Sequence, residues 1–349
     1  MCLGANIKDV AKVAGVSVAT ASRVLGGYGY VSEEAREKVL EVAKKLKYKP
    51  HAIAKSMITG RTKTVGFIVG DIENPFFAGI ARAVNNIIIP EGYNLLVYTT
   101  YENILEEQKA VETFTERRVD GIIIAPTCIR EHSHIDGAIE LGIPVVLVDR
   151  VLNGIGLDTV AVQNVEGAYE AVKYLIEIGH TNISFLSDSL DINSNRERLD
   201  GYIKALEAYN IPIDETLIRS GKYTVEDGYR STVALISNKK RPSAIFTSNN
   251  FMTEGLLLAT KDMGINIPEE LAVIGFDDMK WYQLISPSIS VVAQPVHKIG
   301  HTAARRLMRR MLGDSSRPEL IRLPVKLIIR ESTGARKNIN NIHDNVITE

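Results

Sequence analysis

Cysteine is nearly absent from this 349-residue chain. Cys2 and Cys128 lie far apart in unlike contexts, so neither a disulfide framework nor a metal site follows from them. Also lacking is any apolar run near the ~20 residues that span a bilayer. The start, MCLGANIKDV, has no basic-then-apolar signal pattern, so a cytoplasmic protein without a membrane partner is expected. Compositional bias is missing too: 45% hydrophobic and 24% charged residues exclude the disordered, collagenous and coiled-coil classes. At roughly 150 residues per domain the length implies two or three domains.

Net charge is the last thing in short supply. A formal charge of -1 taken alone argues against a nucleic-acid partner. The average hides a split, because residues 1–63 sum to +7 and the remainder to -8. A small basic module is fused to a larger acidic body.

Residues 6–47 read as three short helices. The first opens on Asn6 as N-cap, with Asp9 three residues on, and stops at Gly15. The second opens at Ser17 and runs VATASRVL, after the short turn Gly15-Val16-Ser17 of a helix-turn-helix. The third opens at Ser32, with Glu33 and Glu34 in its first turn and Lys44 and Lys45 in its last, as the helix dipole favours. In such a unit the second helix lies in the major groove. Val18, Ala19 and Arg23 are then expected to face bases, Arg23 as a bidentate reader of guanine and the other two as apolar contacts. Ser17, Thr20 and Ser22 are candidate phosphate ligands, and Lys63 a sequence-independent one.

From Lys63 onward β-branched runs alternate with helical stretches, the pattern of a parallel sheet covered on both faces. The strand-like runs are 64–70, 93–99, 121–126, 143–149, 183–188, 243–249 and 271–277. Several end in a polar residue, and ligands in open α/β sheets bind beyond such carboxyl ends. Asp71, Asp149, Asp188, Asn249 and Asp277 stand at or just past them. A change near 160–165 marks two successive lobes with a cleft between.

The opening segment resembles the LacI family of bacterial transcriptional regulators. The family's I-x-D-V-A-x-x-A-G-V-S-x-x-T-V-S-R-V-L is met by Ile7, Asp9, Val10, Ala11, Ala14, Gly15, Val16, Ser17, Thr20, Ser22, Arg23, Val24 and Leu25, with Ala21 in place of Val. The likeness extends to about Thr333. It implies an all-α helix-turn-helix DNA-binding domain over 1–49 and a hinge helix and linker over 50–62. A two-lobed α/β periplasmic-binding-protein-like sensor domain follows over 63–332, ahead of a flexible tail at 333–349. The lobes are expected at 63–162 with 291–322, and at 163–290 with 323–332. In the hinge, Met57 takes the place of the family's wedging leucine, and His51 that of a better-capping Asn.

The resemblance also carries effector positions to Asp149, Arg198, Asn249 and Asp277, groups suited to a polyhydroxylated ligand. Phe76 and Trp281 are expected to supply apolar faces, with Phe77 beside them. Asn250 stands where the family usually has Asp. With Arg150, Arg196 and Arg198 near, that loss of a carboxylate points toward an anionic effector, a sugar acid or sugar phosphate. A neutral sugar remains open.

Other patterns propose no chemistry. TGRTKT lacks the second glycine of a phosphate-binding loop, GGYGY follows a helix, and His297 with His301 have no third ligand. No G-x-S-x-G elbow occurs. The expected protein is a non-enzymatic repressor of carbohydrate-use genes without cofactor or metal, a homodimer on two-fold operator DNA whose small-molecule effector binds between the lobes. The rivals are a periplasmic-type solute-binding protein, an α/β enzyme, and a regulator whose co-effector is a phosphocarrier protein.

Overall fold

The computed structural model describes residues 5–26, 28–48, 60–128, 131–152, 154–238 and 240–334. The expected hinge segment with His51 and Met57 lies outside the described residues, as does the tail from 335.

Local signals account for the amino-terminal module. Helix α1 (Ile7–Ala14) begins with a reciprocal capping box, in which Asn6 accepts from Lys8 and Asp9 while the Asp9 carboxylate accepts from the Asn6 amide. It ends at Gly15, which adopts the left-handed conformation (φ 69°) that side chains resist. Helix α2 (Val18–Gly26) is capped by the Ser17 hydroxyl, 3.0 Å from the Thr20 amide. Helix α3 (Glu33–Lys45) is capped by Ser32. Val10, Ala11, Ala14, Ala21, Val24, Val39 and Ala43 close one small core. Ala21, the departure from the family's Val, lies fully inside it.

Two sheets build the rest. The first lobe holds β1 (Thr64–Val69), α4 (Pro75–Ile88), β2 (Asn94–Thr99), α5 (Ile104–Glu116), β3 (Gly121–Ile124), α6 (Ser133–Glu140), β4 (Val145–Val148) and β5 (Asp158–Val162). The second holds α7 (Asn164–Glu177), β6 (Ile183–Ser187), α8 (Asn193–Ala208), β7 (Ile218–Ser220), α9 (Val225–Ile236), β8 (Ala244–Thr247), α10 (Asn250–Asp262), β9 (Ala272–Phe276) and β10 (Ser290–Ala293). The chain then returns to the first lobe for α11 (Val296–Met311) and β11 (Leu320–Leu323), and crosses once more for β12 (Lys326–Ile328). The sheet orders are β11-β5-β4-β3-β1-β2, parallel throughout, and β12-β10-β9-β8-β6-β7, parallel except for the β10–β12 edge. Helices cover both faces of each, which is why the central strands are apolar without alternation.

The lobe boundaries differ slightly from those expected. β10 pairs with β9 and β12, so the return to the first lobe falls after Ala293 rather than before 291. At the far end Ser332 and Thr333 are buried, the Ser332 hydroxyl bonding the Val273 carbonyl at 2.6 Å, so Thr333 belongs to the second lobe and not to a tail. Among the described residues no helix is long and apolar enough to cross a membrane.

Helices α7 and α8 pack closely because Gly201 has no side chain. A Cβ there would strike the Val165 carbonyl and come within 2.7 Å of the Ala168 Cβ. Gly201→Ala is therefore expected to lower stability by about 1–3 kcal/mol, the usual cost of overpacking, as read by denaturant unfolding of the full chain. An unchanged midpoint would show that the helices can part freely.

Candidate functional site

The exposed face of α2 is the first site. Val18, Ala19, Ser22 and Arg23 span one arc of the helix at the i, i+1, i+4, i+5 spacing, and Val18, Ala19 and Arg23 are exposed. Nothing in the small core requires an exposed valine, and Val18 is 44% accessible. Ser17 and Thr20 have structural duties as well, since their hydroxyls lie 2.9 Å apart in the α2 cap. Ser22 bonds the Tyr28 hydroxyl at 2.8 Å, which ties α2 to the following turn. Lys63 departs from its expected role: its ammonium stacks 4.1 Å over the Tyr93 ring and bonds the Glu91 carbonyl, so the sensor lobe engages it.

The second site is a small cavity between the lobes, at the carboxyl ends of both sheets. Asp149 follows β4 and Asp277 follows β9, each at a positive φ (66° and 78°) that turns its carboxylate inward. Each backbone amide is held by the neighbouring strand, Asp149 to the Val160 carbonyl and Asp277 to that of Val292, both at 2.9 Å. The two residues are thus equivalent corners of the two lobes. Gln294, on the crossover after β10, donates to Asp277 at 2.7 Å. Burial pushes the Asp277 carboxyl up to about 6. It raises Asp149 as well, opposed by the nearby Arg150 and Arg198 guanidiniums.

Arg198 on α8 is 3% exposed. Its Nε donates to Asn164 Oδ1 at 2.9 Å, its Nη1 to the Ser248 carbonyl at 2.6 Å, and its plane lies 3.7 Å over the Phe276 ring. Asn164 in turn bonds Glu197 (2.9 Å), whose carboxylate takes two bonds from Arg322 of β11 in the other lobe. Asn249 caps α10 by accepting from the Met252 amide at 3.0 Å, so its Oδ1 has a structural task while the residue lines the cavity. Phe76 and Phe77, edge to face at 5.1 Å, form an apolar wall in the first turn of α4.

Several cavity groups were not singled out from sequence as ligand contacts. Asn74 caps α4 and also reaches across the cleft, donating to the Tyr223 hydroxyl at 2.5 Å and to Asn250 Oδ1 at 3.1 Å. Asp188, Ile192, Ser194, Asn195 and Tyr223 complete the lining. For Asp188 the signal was its place at the end of β6; for Tyr223, in a loop after β7, none was present.

Two sequence expectations need correction. Trp281 does not line this cavity: the short 3-10 turn Lys280–Gln283 carries it away, and its ring packs edge-on against Tyr282 at 4.4 Å beside outer grooves. Two of the three arginines are not free to meet an anion either. Arg150 is fixed by two 2.6 Å bonds to Glu102 and one to the Pro126 carbonyl, and Arg196 bonds the Leu190 carbonyl outside the cavity. Of the three, Arg198 lines the cavity with no carboxylate bonded to its guanidinium among the described residues.

Comparison with known proteins bears on the family and the fold. A family model for bacterial regulatory proteins of the lacI family matches residues 6–51, and one for a periplasmic binding protein-like domain matches 172–333. The HTH-type transcriptional repressor PurR of Yersinia pestis is 33% identical over 333 residues, covering 95% of this chain and 97% of its own. The Lac repressor dimer bound to operator and the anti-inducer ONPF superposes with a TM-score of 0.84 at 25% identity, over 95% of this chain and 99% of that one. A LacI family regulator from Enterococcus faecium with bound ribose superposes at 0.69 and 27% identity, over 77% of this chain and 98% of its own.

Proposed function

The chain belongs to the lacI family of bacterial regulatory proteins, DNA-binding regulators of transcription and not enzymes, and from that premise we propose that it is a repressor released or engaged by a monosaccharide. The carrying observation is the lining of the interlobe cavity: carboxylate, amide and guanidinium groups converge there with the Phe76–Phe77 wall on one side. Polar groups that each bond two neighbouring hydroxyls, set against an apolar ring face, suit a pyranose or furanose. The ribose bound by the Enterococcus faecium relative supports a single sugar ring.

Control would operate through the lobe angle. The cavity is contributed by both lobes, so a ligand that fills it stabilises one relative orientation over others. That orientation sets the spacing of the two linkers in a dimer, and with it the fit of paired α2 helices to half-sites one helical turn apart. Carbohydrate-use genes are the natural targets of such a switch. Val18, Ala19 and Arg23 take the base-contacting role here, Ser17, Thr20 and Ser22 the phosphate-contacting one, and Asp149, Arg198, Asn249 and Asp277 the effector.

A thermal-shift screen of the full chain tests this. A monosaccharide at ~100 times its Kd is expected to add about 2.7 kcal/mol and raise the melting temperature by several degrees. Disaccharides and free purines should leave it unchanged, and Asp277→Ala should erase the shift. A response to purines or disaccharides with none to monosaccharides would overturn the reading.

A further inference from the structure

Three carboxylates, from Asp149, Asp188 and Asp277, line the cavity against two guanidiniums, from Arg150 and Arg198, and Arg150 is itself paired with Glu102. Among the residues that line the cavity, the buried polar atoms left without a hydrogen-bond partner share this bias. Asp188 Oδ2, Asp149 Oδ1 and Gln294 Oε1 are acceptors, and Arg150 Nε alone is a donor. Asp188 is the extreme case. It is fully buried, its Oδ1 is held by the Asn195 amide, and its Oδ2 faces the cavity with nothing to accept from. The nearest charged and titratable groups are Glu102, Arg150, Arg198 and Tyr223, and Arg150 is already shared out to Glu102.

A buried carboxylate that neither pairs nor hydrogen-bonds fully is costly to the free protein, so its presence needs a partner that arrives from outside. We infer that Asp188 selects the effector: its open carboxylate oxygen accepts a hydrogen bond from a donor on the ligand, a hydroxyl or an ammonium, and turns away sugars that carry carboxylate or phosphate. This rests on the monosaccharide reading above and adds the sign of the ligand to it. A hydroxyl or ammonium supplies the missing donor. An anion would bring a further negative charge into a space where three carboxylates already outnumber the cations, one of which is taken by Glu102, and like charges in such a space are strongly disfavoured.

Asp188→Asn tests the inference, because it keeps the shape, removes the charge and adds donors. Titrations at pH 8 would compare neutral monosaccharides, amino sugars, uronic acids and sugar phosphates. The wild type should favour a neutral or an amino sugar over its acidic counterparts by at least about tenfold, and whichever of the two binds better identifies the donor. Asp188→Asn should weaken that ligand about tenfold or more and narrow the gap to the acids. A variant with the wild-type ligand ranking and affinity would overturn the inference while leaving the monosaccharide reading intact.

The free protein supplies a second readout that needs no ligand. Burial holds the Asp188 carboxyl at about 7 in the fold, above its ordinary 3.8. Between those values the folded form keeps a proton that the unfolded form has lost, so the wild type loses stability as pH rises through that window. Ligand-free Asp188→Asn should therefore melt with the wild type near pH 4 and above it at pH 8. If no sugar binds the wild type, the monosaccharide reading fails, and equal melting of the two proteins at pH 8 overturns the role of Asp188 separately.

Discussion

Replacing Arg198 with alanine is expected to abolish the response to the effector and to destabilise the sensor domain by about 3–5 kcal/mol, the usual loss when one member of a buried charge cluster is removed. The side chain holds together groups that have no substitute partner. Without it the Ser248 carbonyl and Asn164 Oδ1 lose their donor, the Phe276 face loses its cation, and Asp149 and Asp277 lose a countercharge. For a domain of this size that corresponds to a fall in melting temperature of roughly 10 °C. The deficit should shrink toward pH 5, where the Asp277 carboxyl, raised by burial to about 6, takes up a proton and needs less compensation. Arg198→Lys should recover part of the stability and little of the ligand response, because an ammonium cannot hold two divergent bonds in one plane. An Arg198→Ala protein that still shifts with ligand would remove Arg198 from the site.

The second large effect is expected on DNA. Arg23→Ala should cost about 1–3 kcal/mol of discrimination at one base pair of each half-site, and little affinity for random sequence. Arg23 is exposed on the face of α2 that carries Val18 and Ala19, and the core of the module makes no use of it. Arg23→Lys separates charge from readout: the salt dependence of binding should stay as in the wild type, while the preference for guanine falls. Gel-shift competition between an operator and its single-base variants measures both. Equal losses on operator and random DNA for Arg23→Ala would make Arg23 a phosphate contact instead.

Legibility followed the range of the interactions. The capping box at Asn6, the glycine stop at Gly15 and the Ser17 and Ser32 caps each involve residues within four positions, and all were readable as sequence. So were the seven β-branched runs that became β1, β2, β3, β4, β6, β8 and β9, because their apolar β-branched residues are contiguous in the chain. The strands that escaped notice, β5, β7, β10, β11 and β12, have three to five residues and owe their form to the sheet they join.

In the cavity, Asp149, Asn249 and Asp277 could be found because strand ends converge in this architecture. Tyr223 and Asn74 could not, since they meet across 149 residues of sequence. Trp281 was drawn in by its nearness to Asp277 in the chain, and a single 3-10 turn took it elsewhere.

The sequence by itself determined the division into a basic reader and an acidic two-lobed sensor, because charge and hydrophobic period are sums over local stretches that folding does not alter. Only the tertiary structure decided the electrostatic character of the cavity. Counted along the chain, Arg150, Arg196 and Arg198 looked like a welcome for an anion. Folding binds Arg150 to Glu102 across 48 residues, leaves Arg196 outside, and aims Asp188 inward. The field inside a site depends on which charges already have partners, and that is fixed only when distant segments meet.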